Sequence, residues 1–191
     1  MKLDKQFLKD CIDGDRSSQN RLYKDCFQLL IRICSRYKKS REECIEMMNI
    51  GFYKILINLS KYKETIPFEI WANRIMINCL IDDYRKNKKN KELLEYQDLN
   101  GHEYFSYHFD FNEAEKDFDA EEIEIMILSL PEKTRTVFNL FAIEGFKHKE
   151  IAEMLKMSIN TSKWHLADAR KKLKHMLQEK FAATKTVRYG E

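Results

Sequence analysis

Hydrogen-bond donors along one C-terminal helix are the side chains of this sequence best suited to a chemical role. The polar and aromatic residues predicted on the outer side of that helix are Asn160, Thr161, Lys163, Trp164, Asp168 and Lys171, and Arg170 supplies a further donor. Lysine and arginine neutralise phosphates or bind guanine edges, and a threonine at a helix N-terminus can contact a phosphate. The pattern therefore predicts contacts with a DNA duplex.

Trp164 allows two interpretations. Its ring can lie against a sugar or a thymine methyl group, because thymine methyls are recognised by apolar contacts. Alternatively, the ring can pack against the preceding helix, where it would contribute to stability and not to recognition. The sequence leaves both interpretations open.

No residue pattern for bond-making chemistry accompanies these donors. The sequence has no Ser/His/Asp arrangement, no metal-ligand spacing and no glycine-rich phosphate loop, and its histidines are dispersed. Its five cysteines include no Cys-x-x-Cys pair, which predicts reduced core thiols of a cytoplasmic protein. We therefore expect no enzymatic activity, no cofactor, no metal and no small-molecule substrate.

The elements that position the C-terminal donors are predicted to be helices. A short helix at residues 149–155 is followed by a turn at 156–158 and then by the basic helix, with Ser158 as the expected N-cap. This is the helix-turn-helix arrangement, whose second helix enters the major groove. The alternative is an ordinary helical hairpin with a solvated charged face. A further helix precedes the motif, with Pro131 at its first helical position.

Helical spacing of apolar residues also predicts a bundle in the N-terminal half, with helices near residues 7–12, 22–37, 41–59 and 68–90. No sustained alternation of apolar and polar residues predicts a strand. We therefore expect an all-α fold of two small helical domains. The predicted organisation is a bundle over residues 1–91, an acidic flexible linker over 92–122, a helix-turn-helix domain over 123–181 and a tail over 182–191.

Charge is unevenly distributed along the chain. The net charge is only +3, but lysine and arginine residues cluster at 85–91 and 170–174, whereas residues 92–124 are strongly acidic. Two basic patches separated by an acidic strip predict two nucleic-acid contacts joined by a segment that does not stay on DNA. The alternative is a solvated helix end followed by a disordered acidic linker.

Two sets of short motifs carry a resemblance to a known family. The C-terminal set is Leu130-Pro131-Glu132-Lys133, Glu144-Gly145, Glu150-Ile151-Ala152-Glu153, Thr161 with Lys163, and Ala169-Arg170-Lys171-Lys172-Leu173. The N-terminal set is Gly14-Asp15, Gly51-Phe52, Phe68, Trp71, Arg74-Ile75, Asn78, Asp82, Tyr84 and Arg85. The two sets resemble regions 4 and 2 of a bacterial RNA polymerase sigma factor of the sigma-70 family, in the extracytoplasmic-function (ECF) group. The arrangement is also similar to that of ECF sigma factors from Bacteroides-like bacteria.

The resemblance implies a subunit that binds core RNA polymerase and directs promoter-specific initiation of transcription. The helix-turn-helix would read the upstream (−35) element, and the N-terminal domain would recognise and melt the downstream (−10) element. The residues expected at the downstream element are Tyr62, Phe68, Trp71, Arg74, Asn78, Arg85, Lys86 and Lys88. For Phe68 and Trp71 the alternative is a place in the bundle core.

The resemblance further implies a surface for core polymerase on an exposed face of the third helix, formed by Glu46, Met48, Asn49 and Phe52.

The helix-turn-helix departs from the family pattern at several positions. Lys156 stands where relatives have a glycine in the turn, which costs on the order of 1 kcal/mol if φ is positive there. Trp164 and Asp168, both expected on the outer side of the helix, replace a small and a basic residue. These departures concern the promoter sequence and not the class of activity.

A second function class remains open, a stand-alone helix-turn-helix regulator whose bundle senses a ligand or dimerises. It predicts promoter binding without core polymerase, whereas a sigma factor predicts weak or no duplex binding alone. The partners implied are core RNA polymerase and promoter DNA. An anti-sigma factor is a further candidate that the sequence does not establish. The longest apolar runs are too short to span a bilayer, so we expect a cytoplasmic protein without membrane insertion.

Overall fold

The computed structural model describes residues 3–94 and 118–188, with side chains described for 3–87 and 122–180. The chain divides into two compact units, unit 1 (Met1–Tyr107) and unit 2 (His108–Glu191). Every regular element in the described stretches is a helix, so the predicted all-α fold is confirmed. Most of the predicted linker, residues 92–122, lies outside the described part of the chain.

Unit 1 is built from the helices α1 (Lys5–Ile12), α2 (Arg16–Ser35), α3 (Arg41–Ile57) and α4 (Phe68–Leu94), with a 3₁₀ turn at Leu59–Lys61. Side-chain caps fix where the helices begin. The Ser18 N–H donates to the Asp15 carboxylate at 2.7 Å, which starts α2. Such caps satisfy N–H groups that have no partner within the helix. Pro67 precedes α4, and its ring disfavours a helical backbone at the residue before it, Ile66.

The core of unit 1 lies where α2, α3 and α4 meet. Its largest fully buried side chains are Leu22, Leu30, Ile31, Met48, Ile55, Phe68, Met76 and Ile77. Gly51 allows the close approach of α3 to α4, because a Cβ at this position would overlap the sulfur of Met76. Burial of these apolar side chains is the main stabilising contribution to the unit.

Unit 2 is built from α5 (Phe118–Ser129), α6 (Glu132–Phe138), α7 (His148–Leu155) and α8 (Ile159–Arg188), with a π turn at Asn139–Ile143. Its core contains Leu130, Val137, Leu140, Ile151, Leu155, Leu166 and Ala169. Pro131 was predicted as the first helical residue, but it is the N-cap of α6, one position earlier. None of the described helices is long and apolar enough to cross a membrane.

Helices extend past each boundary expected from the sequence. The helix α4 continues beyond residue 91, α5 starts before residue 123, and α8 continues beyond residue 181. The apolar periodicity fails in these stretches, but they contain no glycine or proline. Because glycine and proline are the residues least favourable in helices, nothing local ends the helices earlier.

Candidate nucleic-acid and polymerase interfaces

The first half of α8 exposes a row of side chains that we call the reading face: Asn160, Lys163, Trp164, Ala167 and Lys171. Their spacing of i, i+3, i+4, i+7 and i+11 places them on one side of the helix. Trp164 is 61% exposed and touches the imidazole ring of its neighbour His165 edge-on, with 4.9 Å between ring centroids. The structure therefore does not pack Trp164 against the preceding helix.

The reading face includes one residue that the sequence reasoning missed. Ala167 lies one helical turn beyond Lys163 and Trp164 and is exposed like them. A small apolar residue on a helix attracts no attention by type, but its i+3 and i+4 spacing was a sufficient signal. Together with Trp164, Ala167 gives the reading face an apolar area between its basic residues.

The turn before α8 has the geometry of a helix-turn-helix. Lys156 adopts a left-handed conformation with φ of 50° and ψ of 55°, the position where a positive φ was anticipated. Ser158 accepts the Thr161 N–H at 3.0 Å, so its predicted role as N-cap is confirmed. The Thr161 hydroxyl lies 2.8 Å from the Ser158 hydroxyl, which engages it in the cap as well.

Asp168 does not point outwards as expected but towards α6, so that prediction was wrong. The Thr134 hydroxyl donates to its carboxylate at 3.3 Å, and the Lys172 ammonium donates to it at 2.7 Å. The pKa of Asp168 is lowered, chiefly by the hydrogen bond from Lys172. Thr134 also lies 3.0 Å from Nδ1 of the buried His165, so one hydroxyl joins two residues of α8 to α6.

A second polar contact ties α8 to α7. His148 stacks on Phe141 with ring centroids 4.6 Å apart, and its Nδ1 lies 3.0 Å from the Ser162 hydroxyl. Burial lowers the pKa of His148, and the nearby positive charges of Lys163 and Arg170 lower it further. These charges create a positive potential beside the reading face, as a polyanionic partner requires.

In unit 1 the structure brings together three predicted residues as an aromatic cluster. The ring centroids of Tyr62 and Phe68, and of Tyr62 and Trp71, are 5.3 Å apart, and those of Phe68 and Trp71 are 5.6 Å apart. Phe68 is only 1% exposed, so its ring belongs to the core, as the alternative interpretation held. Tyr62 and Trp71 are half-buried, and each keeps surface that can meet a base.

An open depression of about 700 Å³ lies beside the aromatic cluster, lined by Leu3, Asp4, Tyr62, Glu64, Thr65, Ile66, Pro67, Phe68 and Glu69. The Tyr62 hydroxyl donates to the Ile66 carbonyl at 2.9 Å, which holds the ring at the edge of the depression. The carboxylates of the lining can accept hydrogen bonds from amino groups. Neither Arg74 nor Asn78 lines this depression.

The polar residues of α4 predicted to contact DNA differ in how exposed they are. Arg74, Asn78 and Lys86 are exposed. Arg85 is half-buried and lies 3.5 Å from the Asp82 carboxylate, so it is partly committed to the fold. The side chain of Lys88 lies outside the described residues.

The surface predicted for core polymerase on α3 needs one correction. Met48 is fully buried between the helices, with 0% exposure, so it cannot contact a partner. Glu46 and Asn49 are exposed as expected. Phe52 is half-buried and packs edge-on against Tyr23, at 5.0 Å between ring centroids.

The structure instead exposes large apolar residues on the same side of α3, which the sequence reasoning missed. Ile50, Tyr53 and Ile57 are 41%, 62% and 55% exposed, and we call them the α3 strip. The helix is apolar on both sides, so periodicity gave no signal to separate the strip from the core. Large apolar patches at a surface are typical of protein-protein contacts.

The cysteines are all buried and free, which agrees with the expected core thiols. Burial raises the pKa of Cys26 and of Cys44 to about 12, so neither thiol forms a reactive thiolate near neutral pH. Among the described residues, no group of His, Cys, Asp and Glu is placed to hold a metal ion.

Comparison with known proteins identifies both halves. Residues 22–90 match sigma-70 region 2, and residues 120–173 match sigma-70, region 4. The chain is 32% identical over 136 residues to the RNA polymerase sigma factor SigZ of Bacillus subtilis, an alignment that covers 70% of this chain and 72% of SigZ. It is 26% identical over 164 residues to the ECF RNA polymerase sigma factor SigW of the same organism, covering 83% and 86%.

A solved structure is similar in fold. The sigma factor RpoE, crystallised in complex with the anti-sigma factor NepR from Bartonella quintana, matches with a TM-score of 0.54 and 15% identity over 83% of this chain and 97% of that chain. The narrower resemblance to ECF sigma factors of Bacteroides-like bacteria stays a prediction, since SigZ and SigW both come from B. subtilis. The stand-alone regulator is not favoured, because both sigma regions are present in order. The chain belongs to the sigma-70 family of RNA polymerase sigma factors, in the ECF group, and acts as a subunit that binds core RNA polymerase and directs promoter-specific initiation of transcription.

Proposed function

We propose that α8 reads the upstream element of the promoter through its reading face. The observation that carries this proposal is the composition of that face: between residues 159 and 178 the only acid is Asp168, and its carboxylate is held towards α6. Lys163, Arg170 and Lys171 then meet phosphates or guanine edges, and Asn160 can bind an adenine edge. Thr161 contributes less than expected, because its hydroxyl is engaged in the cap.

The same proposal assigns the downstream element to the aromatic cluster of unit 1. Tyr62 and Trp71 replace the stacking that a base loses when the duplex opens, worth about 1–3 kcal/mol per base. The extruded base enters the depression beside Tyr62, with Phe68 supporting the cluster from the core. Arg74, Asn78 and Lys86, which lie outside the depression, follow the strand backbone, and Lys88 is proposed to do so too.

Core polymerase docks on the α3 strip in this proposal. Ile50, Tyr53 and Ile57 supply apolar contact area, and Glu46 and Asn49 supply polar contacts beside it. Because the proposed partner, core polymerase, works in the cytoplasm, the same location is proposed for this protein. An anti-sigma factor is a further proposed partner, supported by the complex in which the structural relative was crystallised.

Site-specific crosslinking tests these assignments in the reconstituted holoenzyme. A photoreactive phenylalanine at position 164 should crosslink to upstream duplex DNA, and one at position 62 should crosslink to the downstream element only after the DNA opens. The same probe at Gln28, exposed on α2, serves as the control and should not mark the reading sites. Crosslinks from position 164 to the downstream element, or from position 62 to closed duplex, would contradict the assignment.

A further inference from the structure

We propose that Thr134 and His165 are positioning residues that fix the rotation of α8 about its axis and thereby decide which base edges the reading face contacts. The inference rests on the proposed function, since it concerns the helix assigned to the upstream element. Neither residue touches DNA in this proposal, because both side chains are buried between α6 and α8. They act through the side chains that lie next to them.

The hydrogen bonds beneath α8 run in one direction. An ionised carboxylate only accepts hydrogen bonds, and the lowered pKa of Asp168 keeps it ionised near neutral pH. The Thr134 hydroxyl, 3.3 Å away, therefore donates its single proton to Asp168. The contact of 3.0 Å between Thr134 and His165 then requires the imidazole to donate from Nδ1. The burial that lowers the pKa of His165 favours this neutral form.

The anchored residues alternate with residues of the reading face. His165 follows Trp164 and touches its ring, and Asp168 follows Ala167. A helix with side chains extends about 5–6 Å from its axis, so a rotation of about 10° displaces its surface by about 1 Å. Such a displacement exceeds the tolerance of about 0.5 Å expected for a recognition site. The contacts of Thr134 with His165 and Asp168 therefore determine where the Trp164 side chain lies.

Apolar packing alone gives weaker control of this rotation, because apolar burial is non-directional. Hydrogen bonds depend on angle and are costly to leave unmade when buried. The contact between His148 and Ser162 holds α8 from α7, and the contacts of Thr134 hold it from α6. The reading half of α8 is therefore anchored by directional contacts from two helices.

A matched pair of variants at Thr134 tests the inference. Thr134→Val keeps the shape and removes the hydroxyl, whereas Thr134→Ser keeps the hydroxyl and removes the methyl group. The holoenzyme of each is assayed on a library of promoters with randomised upstream elements. We expect Thr134→Val to change the ratio of transcription between the leading elements by about fivefold or more, the scale of one base contact. We expect Thr134→Ser to preserve the ranking.

Nitrogen NMR of the free chain gives a readout that loss of stability would not move. The wild type and Thr134→Ser should show His165 protonated on Nδ1, and Thr134→Val should lose that preference. If Thr134→Val does not fold, His165→Asn and His165→Gln replace it, because the Asn amide lies near the position of Nδ1 and the Gln amide lies near that of Nε2. The Asn variant should keep the ranking of promoters and the Gln variant should change it.

Two outcomes overturn the inference and are distinguishable. A wild-type holoenzyme without any preference among upstream elements would overturn the proposed function and this inference with it. A selective wild type whose ranking is the same in Thr134→Val, or in both His165 variants, would overturn the inference alone.

Discussion

The reading face of α8 and the α3 strip are both exposed rows on helices, yet they are built in opposite ways. The reading face is mostly polar and basic outside, and polar contacts from Thr134 and His148 anchor the helix beneath it. The strip is apolar outside and lies on a helix whose inner side, represented by Met48 and Ile55, is apolar as well. The difference matches the proposed partners, a polyanionic duplex and a protein.

The comparison also separates two requirements of recognition. Reading base edges depends on a side chain being placed within a fraction of an ångström, so directional anchors are useful under α8. Binding a protein partner depends more on buried area and on a few large side chains, so apolar packing suffices under α3. Substitutions that alter one of these properties test whether each surface depends on it.

The largest effect is expected from charge on the α3 strip. The double variant Tyr53→Glu with Ile57→Glu should lower affinity for core polymerase by about 30-fold or more, since central interface residues contribute about 2 kcal/mol or more. Both side chains are more than half exposed, so far-UV helicity should not change. Co-purification with core polymerase and fluorescence anisotropy measure the loss.

Ile12→Glu provides the matched control, because Ile12 is 47% exposed on α1, outside the strip. It should bind polymerase like the wild type. If the double variant binds normally, the strip is not the docking surface. Met48→Lys is unsuitable as a test, since a buried charge at this position would unfold the unit.

Removal of one aromatic ring should affect DNA opening next most strongly. Tyr62→Ala should reduce open-complex formation by about 5- to 150-fold, equivalent to the 1–3 kcal/mol of one stacked base. Permanganate reactivity of unpaired thymines measures opening, and polymerase binding should be unchanged. A template with a pre-melted bubble should restore most transcription, because stacking is then not needed to open the duplex. A bubble that gives no rescue would remove Tyr62 from the melting step.

The two rows also differ in how far the sequence predicted them. In α8 the exposed and buried sides differ in polarity, so periodicity placed Lys163 and Trp164 outside and Leu166 and Ala169 inside. In α3 both sides are apolar, so periodicity could not separate them; the family resemblance put the buried Met48 on the surface, and Tyr53 was overlooked. Periodicity locates a core only where the two sides of a helix differ.

Long-range polar contacts were the other limit of prediction. The residues Thr134 and Asp168 are far apart in sequence, and no local pattern indicates that a hydroxyl on α6 will hold a carboxylate on α8. Local features were predicted better: the Ser158 cap follows from neighbouring residues, and the left-handed Lys156 lies where the family pattern has a glycine. The sequence thus predicts local geometry and fold class, and tertiary contacts decide which way Asp168 points.

Lys163 and Trp164 should separate affinity from preference on the reading face. Lys163→Ala should weaken holoenzyme binding across promoters and reduce the salt dependence by about one counterion. Trp164→Ala should instead change which upstream element is preferred. Replacement of upstream thymines by deoxyuridine, which lacks the methyl group, should weaken the wild type by about fourfold per contacted methyl group, since one buried methyl contributes about 0.8 kcal/mol, and should leave Trp164→Ala unchanged. A uniform loss of affinity in both variants would mean that the tryptophan does not read sequence.

A change in the turn should affect stability without affecting the contacts of α8. Lys156 has a positive φ, which costs a residue with a side chain about 1 kcal/mol relative to glycine. Lys156→Gly should therefore stabilise unit 2 by up to about 1 kcal/mol in urea unfolding, with promoter ranking unchanged. Lys149→Gly, placed inside α7, is the matched control and should destabilise the unit. If Lys156→Gly also destabilises it, the lysine side chain contributes more than its backbone costs.

The smallest effect is expected from pH, which should change the stability of unit 2. Burial lowers the pKa of His148 in the folded chain, and the positive charges of Lys163 and Arg170 lower it further. Burial also lowers the pKa of His165; Lys133 and Lys172 lower it further, whereas the negative charge of Asp168 raises it. The unfolded chain, with histidines near 6.5, then binds more protons below that pH than the folded chain does. Stability of unit 2 should therefore be constant above about pH 7 and should fall as the pH drops below about 6.5.

Unfolding in urea at a series of pH values measures this, with Trp164 as the sole tryptophan after Trp71→Phe. His165→Asn should make the fall shallower, because it removes one titrating group and keeps an amide near the position of Nδ1. The Asp168 carboxylate cannot cause a fall in this range, because its lowered pKa lies below the usual value for aspartate, near 3.9. A midpoint that does not change between pH 7.5 and 5.5 would show that the two histidines protonate as easily in the folded unit as in the unfolded chain. The directional anchor under α8 would then not hold His165 neutral.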